Sequence, residues 1–105
     1  MEEIFNLECV IKDEKIDNYL LRAETAKGKY FLAKGFVKDS LLDVLKDHFS
    51  IENYTEIKEN NFGANFVFEG NIICPNKQEI RLRSVWHLPN SSDTVIFVTA
   101  YRIQK

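Results

Sequence analysis

The side chains best suited to chemistry lie in the C-terminal part of the sequence, where polar residues alternate with apolar ones. They are Glu69, Arg81, Arg83, His87, Thr99 and Tyr101, with Asn65 at the rim. Arginine holds a phosphate group through two parallel hydrogen bonds, and carboxyl, imidazole and phenol groups can accept or donate a proton. This combination of residue types is suited to cleavage of an RNA phosphodiester without a metal ion.

Metal-free RNA cleavage needs a base for the 2′-hydroxyl proton, a cation for the charge on the phosphate oxygens, and an acid for the leaving oxygen. The chain offers groups for each role, namely Glu69 or His87 as the base, Arg81 and Arg83 as the cations, and His87 or Tyr101 as the acid. An aromatic side chain such as Phe97 is suited to stacking on a base. We therefore take these residues, together with Thr99, as candidate catalytic and substrate-binding residues.

The same residues also have a purely structural interpretation. Glu69 opposite Arg83 is the kind of cross-strand ion pair that an exposed sheet face carries, worth about 0.2–1 kcal/mol. Thr99 and Tyr101 are residue types that favour strands and pack well there. A solvated sheet face therefore stays open as the alternative to a phosphate-handling site.

A second basic stretch, AKGKY, places Lys27 and Lys29 on either side of Gly28, and Lys34 follows. Two lysines flanking a glycine can reach a phosphate, so Lys27 and Lys29 are further candidate substrate-binding residues. The sequence has no GxxxxGK[ST] pattern, which excludes a nucleotide-binding P-loop. Solvated lysines are the alternative interpretation.

Composition and charge narrow the function classes. The net charge of −2 and the pI near 5.7 disfavour binding along an extended nucleic acid but leave room for a local cationic pocket. The two cysteines and two histidines are too widely spaced for a zinc site, so we expect no metal or other cofactor. We expect Cys9 and Cys74 to be reduced, mostly buried thiols. An acidic N-terminus and the lack of any run of about 20 apolar residues predict a cytoplasmic protein without a membrane segment.

The elements that must position these groups are helices followed by strands. Asp13 can begin a helix that carries Ile16, Tyr19 and Leu20, and Gly35 can end a short helix within KGKYFLAKGF. The stretch DSLLDVLKDHFS predicts the clearest helix, capped by Asp39 or Ser40, with an apolar stripe of Leu41, Leu42, Leu45 and Phe49. His48 is expected to lie partly exposed near the end of that helix, where a cation is stabilised. NLECVI predicts a short strand, and from Tyr54 onward the apolar period changes to two.

Pairing the two strands around a hairpin loop at Pro75–Lys77, with Asn76 in a left-handed conformation, sets Cys74 opposite Gln78. One face then receives the pairs Ile72–Ile80, Phe68–Ser84, Phe66–Trp86 and Ala64–Leu88. The other face receives the pairs Asn71–Arg81, Glu69–Arg83, Val67–Val85 and Asn65–His87. A slip of one residue would scramble both faces, so we expect this register.

The last strand, TVIFVTAYRI, is expected to continue both faces. Ile96, Val98 and Ala100 suit the apolar face, and the other row, which joins the polar face, is Val95, Phe97, Thr99 and Tyr101. The alternative is a central strand covered on both sides. The predicted fold class is α+β, with N-terminal helices packed on one face of a C-terminal antiparallel three- to four-stranded β-meander, in a single domain over residues 1–105.

The stretches KIDNYLL, KGKYFLAKGF, FEGNIICPN, RSVWHL and VTAY together resemble a small bacterial domain family of unknown function, which occurs alone and as a C-terminal module of toxin-like proteins. The resemblance runs from Lys15 to Tyr101, and Cys74 departs from the glycine that the family shows before Pro-Asn. The order of elements is also similar to the barnase–EndoU–colicin–RelE ribonuclease superfamily of bacterial toxins, although the acidic pI departs from most of them. That similarity implies, as family-like positions, Lys27, Lys29, Arg83, Thr99 and Tyr101.

Two hypotheses of function follow, and a small-ligand binder, which no sequence pattern supports specifically, stays open as a third. The first is a toxin-like, metal-independent endoribonuclease that cleaves RNA through the polar sheet face and has an immunity protein or a target as its protein partner. The second is a non-catalytic protein-interaction module, such as an inhibitor, an antitoxin-like protein or a phage-derived accessory protein. In that case the row of Val67, Val85 and Phe97 would form the interface of a monomer with its partner or of a homodimer.

Overall fold

The computed structural model describes residues 2–103, and in this part of the chain helices precede most of the strands. The sheet strands are β1 Glu8–Val10, β2 Tyr54–Asn60, β3 Gly63–Ile73, β4 Glu79–Pro89 and β5 Thr94–Arg102. The helices are α1 Asp13–Lys15, which continues as a π-helical segment Ile16–Leu20, α2 Ala26–Ala33 and α3 Lys38–His48, with 3₁₀ helices at Glu2–Asn6 and Ile51–Asn53. The predicted α+β class is confirmed.

The strands form one five-stranded sheet in the order β1-β5-β4-β3-β2. Strands β2 to β5 are the expected antiparallel meander. Strand β1 adds a feature that the sequence did not indicate, because it pairs in parallel with the first half of β5, from Glu8 opposite Thr94 to Val10 opposite Ile96. Among residues 2–103, the remainder of β5, from Phe97 onward, has a strand partner on the β4 side only.

All eight predicted pairs between β3 and β4 are confirmed. The Cys74 N–H donates to the Gln78 carbonyl at 2.8 Å, which closes the hairpin where expected. The prediction that Asn76 takes the left-handed conformation is wrong, because Lys77 takes it instead, with φ of 76°. The Asn76 N–H donates to the carbonyl of Lys34 at 3.1 Å, so Asn76 docks the loop on the end of α2 while Lys77 turns the chain.

The predicted alternation of β5 is correct at one end and wrong at the other. Val85 pairs with Thr99, but the next residue of β4, Trp86, pairs with Phe97. Val98 is therefore left without a partner on β4 and is the extra residue of a β-bulge. Thr99 and Tyr101 therefore lie on the polar face as predicted. Phe97 and Val95, in contrast, turn into the core, where they are 1% and 0% exposed.

The core lies between the helices and the apolar sheet face. The helices contribute the buried side chains Ile16, Leu20, Phe31, Leu41 and Leu45, and the sheet contributes Phe66, Phe68, Leu82, Trp86 and Phe97, among others. Aromatic rings connect the two layers, since the Phe49 ring centroid lies 4.9 Å from those of both Phe68 and Trp86. Cys9 and Cys74 are free thiols, and burial raises the pKa of Cys9 to about 11.

Helix ends follow local sequence signals. Thr25 caps α2, accepting the N–H of Gly28 at 2.9 Å, and Gly35 follows its end with φ of 91°, as predicted. Helix α3 begins at Lys38, earlier than predicted, and the Ser40 hydroxyl bonds back to the N–H and the carbonyl of Val37. In the part of the chain from residue 2 to residue 103, no helix combines the length and apolar character needed to cross a bilayer.

The expectation that His48 is partly exposed is wrong, because the residue is 1% exposed and joins α3 to β4. Its Nε2 lies 2.9 Å from the carbonyl oxygen of Leu82, which can only accept, so Nε2 carries a proton. Its Nδ1 then accepts from the Ser84 hydroxyl at 2.7 Å, and the Ser84 oxygen accepts from the Trp86 indole at 3.0 Å. Every polar atom of this buried chain has a partner, which explains why a core this apolar tolerates it.

We expect the stability of the protein to depend on pH through His48. Burial lowers the pKa of His48, so the unfolded chain, titrating near its usual value of about 6.5, binds more protons than the native state. The free energy of unfolding should therefore fall as the pH drops below about 6.5. The fall should end when the pH reaches the lower pKa of the folded state. Urea denaturation at a series of pH values measures this slope.

The matched comparison uses both histidines. His48→Gln should be less stable at neutral pH and should lose this slope, while His87→Gln, which leaves the buried chain intact, should keep it. Equal slopes for the wild type and His48→Gln would contradict the assignment.

We expect Gly28→Ala to destabilise the protein by about 1–3 kcal/mol, the usual range for an overpacked site. A Cβ at this position would lie 1.7 Å from the Arg22 carbonyl oxygen, so the first turn of α2 would have to move away from the preceding segment. Lys29→Ala, at an exposed position of the same helix, is the control and should stay within about 0.5 kcal/mol. Chemical denaturation compares the variants, and equal stability of Gly28→Ala and the wild type would contradict this packing.

Candidate functional site

Five of the predicted site residues meet on the polar face of the sheet, next to the part of β5 that lacks an outer strand. They form, with one tyrosine from the helical layer, what we name the Arg83 cluster: Tyr19, Lys27, Glu69, Arg83, Thr99 and Tyr101. Three strands and two helical segments supply these residues. The cluster therefore exists only in the folded chain.

The strand half of the cluster is centred on Arg83. Its Nε donates to the Glu69 carboxylate at 2.7 Å, and its Nη2 forms an ion pair with the same carboxylate oxygen. Its Nη1 donates to the Tyr101 hydroxyl at 3.1 Å. The register of β3, β4 and β5 explains this geometry, because Arg83 is the direct cross-strand partner of both Glu69 and Tyr101.

The helix half of the cluster is centred on Lys27. Its ammonium donates to the Tyr19 hydroxyl at 2.6 Å and to the Thr99 hydroxyl at 3.2 Å, and those two hydroxyls are 2.9 Å apart. Thr25 caps α2, so Lys27 lies in the first turn of this helix, from which its ammonium reaches Thr99 on β5. The Lys27 Nζ also lies 5.5 Å from the ring centroid of Tyr101, which links the two halves.

Charge and exposure in the cluster suit an anionic ligand. The side chain of Arg83 remains 37% exposed, so one surface of the guanidinium is accessible although Glu69 holds the other. Tyr101, and then Glu69, raise the pKa of Arg83, and it stays cationic. The hydrogen bonds from Lys27 and then Thr99 lower the pKa of Tyr19, because they favour its phenolate form. Two cations and one carboxylate leave a net positive charge as long as Tyr19 is protonated.

The remaining predicted residues lie outside the cluster. His87 is four residues, or about 13 Å of strand, beyond Arg83, and its Nδ1 lies 2.7 Å from the Asn65 amide oxygen. Arg81 lies on the same face one pair along, 3.4 Å from the Asn71 amide oxygen. Lys29 is exposed on α2, two positions from Lys27 and therefore on a different side of that helix.

Phe97, which was expected to stack on a base, does not lie on the polar face. The β-bulge at Val98 turns its ring to the helical side, where it packs edge-on against Trp86 with centroids 5.2 Å apart. Burying a phenylalanine side chain contributes about 1.5–3 kcal/mol, which the uninterrupted register would forgo. A ring that is 1% exposed has no free surface on which a base could stack.

Tyr19 is the cluster residue that the sequence interpretation missed. Its spacing with the buried residues Ile16 and Leu20 marks it as part of an apolar helix stripe. Its hydroxyl partner, Thr99, is 80 residues away in the sequence. No local signal connects the two, so only the fold could show the contact.

Comparison with solved structures shows a similar fold in a chain of a contact-dependent growth inhibition toxin–immunity protein complex from Klebsiella pneumoniae 342. The TM-score is 0.67, the match covers 90% of this chain and 99% of that chain, and the sequence identity is 16%. At this identity the likeness concerns the fold. No curated protein matches the chain significantly in sequence.

A family model described as "Domain of unknown function (DUF6883)" matches residues 5–104, which is nearly the whole chain. The matched range includes every residue of the Arg83 cluster and all five strands. It also confirms the expected relationship to a small domain family of unknown function. On this match, the chain belongs to the DUF6883 family.

Proposed function

We propose that the protein is a toxin-like endoribonuclease that cleaves RNA at the Arg83 cluster without needing a metal ion. The observation that carries the proposal is the hydrogen-bonded assembly of two cations and two tyrosines on an accessible sheet face. The similar fold of a chain from a toxin–immunity protein complex adds support. Fold alone does not determine function, so the side-chain arrangement is the stronger argument.

The two cations would bind the scissile phosphate. Arg83 presents a partly exposed guanidinium held in place by Glu69, so little conformational entropy is lost when it binds a phosphate oxygen. Lys27 brings a second positive charge to the opposite half of the cluster. Donors fixed in advance stabilise the charge that develops on phosphate oxygens in the transition state, and they supply the role that a metal ion plays elsewhere.

The two tyrosines would transfer the protons. The phenolate of Tyr19, favoured by Lys27, accepts the proton of the RNA 2′-hydroxyl, and the 2′-oxygen forms a bond to phosphorus. The bond from phosphorus to the 5′-oxygen breaks, and Tyr101 donates its proton to that oxygen. The products are a 2′,3′-cyclic phosphate and a 5′-hydroxyl. This assignment replaces His87, which lies too far along β4 to reach the same phosphate.

The non-catalytic alternative loses its predicted interface. Of the row of Val67, Val85 and Phe97, two residues are buried, with Val67 5% exposed and Phe97 1% exposed. A protein partner of a different kind still follows from the proposal, because a cell that makes an active ribonuclease needs to block it. We expect an immunity protein that covers the Arg83 cluster.

We expect induced expression without an immunity protein to slow bacterial growth, and the purified protein to cleave total RNA in the presence of EDTA. Arg83→Ala and Tyr101→Phe should each lower the cleavage rate by about 10²–10³-fold, as loss of a charge-stabilising or acid group does. Cleavage products carrying 2′,3′-cyclic phosphate, identified by mass spectrometry, test the proton-transfer scheme.

Lys46→Gln is the control, because it removes one charge from an exposed position of α3 outside the cluster. His87→Gln separates the two schemes and should cleave RNA normally. Normal growth together with intact RNA in the purified assay would contradict the ribonuclease proposal and favour a binding module.

We expect one of the four tyrosines to ionise below the usual range, and Lys27→Met to return it to that range. The hydrogen bond from the Lys27 ammonium is the main cause of the lowered pKa of Tyr19, so removing the charge removes the effect. Spectrophotometric titration of tyrosinate absorbance measures this, and Tyr19→Phe should lose the same early transition. An early transition that survives Tyr19→Phe would show that another tyrosine is responsible.

A further inference from the structure

A second cationic feature lies beside the Arg83 cluster, at a corner of the sheet. Strand β5 ends opposite Leu82, so β4 extends three residues, Glu79 to Arg81, beyond its last paired position. The space at this corner is an open cleft of about 600 Å³, lined by Tyr30, Lys34, Gln78, Glu79, Ile80, Arg81, Arg102 and Ile103. A volume of this size is typical of clefts that bind small molecules or nucleotides. We call it the corner cleft.

One wall of the corner cleft is held firmly by the contact between α2 and the β3–β4 hairpin. The Asn76 N–H donates to the Lys34 carbonyl at 3.1 Å, and the Lys34 ammonium donates to the Gln78 amide oxygen at 2.6 Å. Gly35 permits this close approach, because a Cβ there would lie 3.2 Å from the Cβ of Pro75. The position of the Lys34 charge is therefore set by the fold.

The charges in the corner cleft do not balance. Lys34, Arg81 and Arg102 supply three cations, whereas Glu79 is the one carboxylate among the described residues of its lining. Glu79 accepts a hydrogen bond from the Asn71 amide at 2.9 Å, and among the side chains of residues 4–103 none of the three cations forms an ion pair. This concentration of positive charge occurs in a chain whose net charge is −2. Uncompensated cations in a cleft attract an anionic ligand.

Tyr30 provides the corner cleft with an aromatic wall. Lys34 Nζ lies 5.2 Å and Arg102 Cζ 6.0 Å from its ring centroid, so two of the three cations are placed over the ring. The Tyr30 hydroxyl is buried and has no hydrogen-bond partner in the described part of the chain. A polar group left in this state lowers stability, so such groups are rare in proteins.

The corner cleft continues the proposed RNA-binding face. Arg81 lines the cleft and lies on the same face of β4 as Arg83, two residues away, a distance of about 7 Å along the strand. We propose that the corner cleft binds a phosphate ester, supplied by the RNA strand whose neighbouring phosphate lies at the Arg83 cluster. The source of the phosphate rests on the proposed function, whereas the phosphate chemistry rests on the cleft itself.

Binding measurements with two probes test this proposal. The first probe is a single-stranded 2′-O-methyl oligonucleotide, which lacks the nucleophilic hydroxyl and cannot be cleaved, and the second is AMP. The double variant Lys34→Gln/Arg102→Gln should bind the oligonucleotide at least about tenfold more weakly than the wild type, since each lost charge-assisted hydrogen bond contributes about tenfold or more. Lys46→Gln, with one exposed charge removed from α3, should bind as the wild type does. Fluorescence anisotropy at low salt measures binding of the oligonucleotide, and calorimetry measures binding of AMP.

The outcomes separate this inference from the proposed function. Oligonucleotide binding that is weakened in the double variant supports the corner cleft, even if the wild type fails to cleave natural RNA. Binding of AMP alone, weakened by the same variant, supports the phosphate site and overturns the RNA strand as its source. Equal binding of both probes by the wild type and the double variant overturns the proposal, even if RNA cleavage at the Arg83 cluster is demonstrated.

Discussion

The pairing of β3 with β4 is the constraint on which the rest of the structure depends. Side chains alternate across a strand, so the closure at Cys74 and Gln78 decides the face of every residue on both strands. It sends Phe66, Phe68 and Trp86 to the helices and Arg83 with Glu69 to the open side. Core and site are thus two results of one register, and a shift by one residue would destroy both together.

The register was predictable from the sequence, because two long alternating strands and a short loop allow one arrangement that separates apolar from polar residues. The β-bulge of β5 was not, since Val95 and Phe97 are compatible with either face until the packing space beside Trp86 is known. His48 was misjudged because its partners Ser84 and Leu82 belong to a distant strand. The contact of Tyr19 with Thr99 depends on tertiary structure in the same way. Local periodicity predicts faces, whereas bulges and long-range polar contacts depend on how the layers fit.

The Arg83 cluster and the corner cleft explain how an acidic chain could act on a polyanion. Four of its cations lie along one side of the sheet, namely Lys27, Arg83, Arg81 and Arg102. For the RNA that we propose as substrate, a few fixed charges would give orientation and local affinity, while the net negative charge would limit nonspecific binding along nucleic acid.

The parallel pairing of β1 with β5 has a consequence for the order of events during synthesis on the ribosome. Residues near the start of the chain, from Glu8 to Val10, have no strand to join until Thr94–Ile96 has emerged. The same late strand carries Thr99 and Tyr101, so a nascent chain lacks both hydroxyls that complete the cluster. The cluster can therefore assemble only after β5 has been made, and a product truncated before Thr94 would lack two of its six side chains.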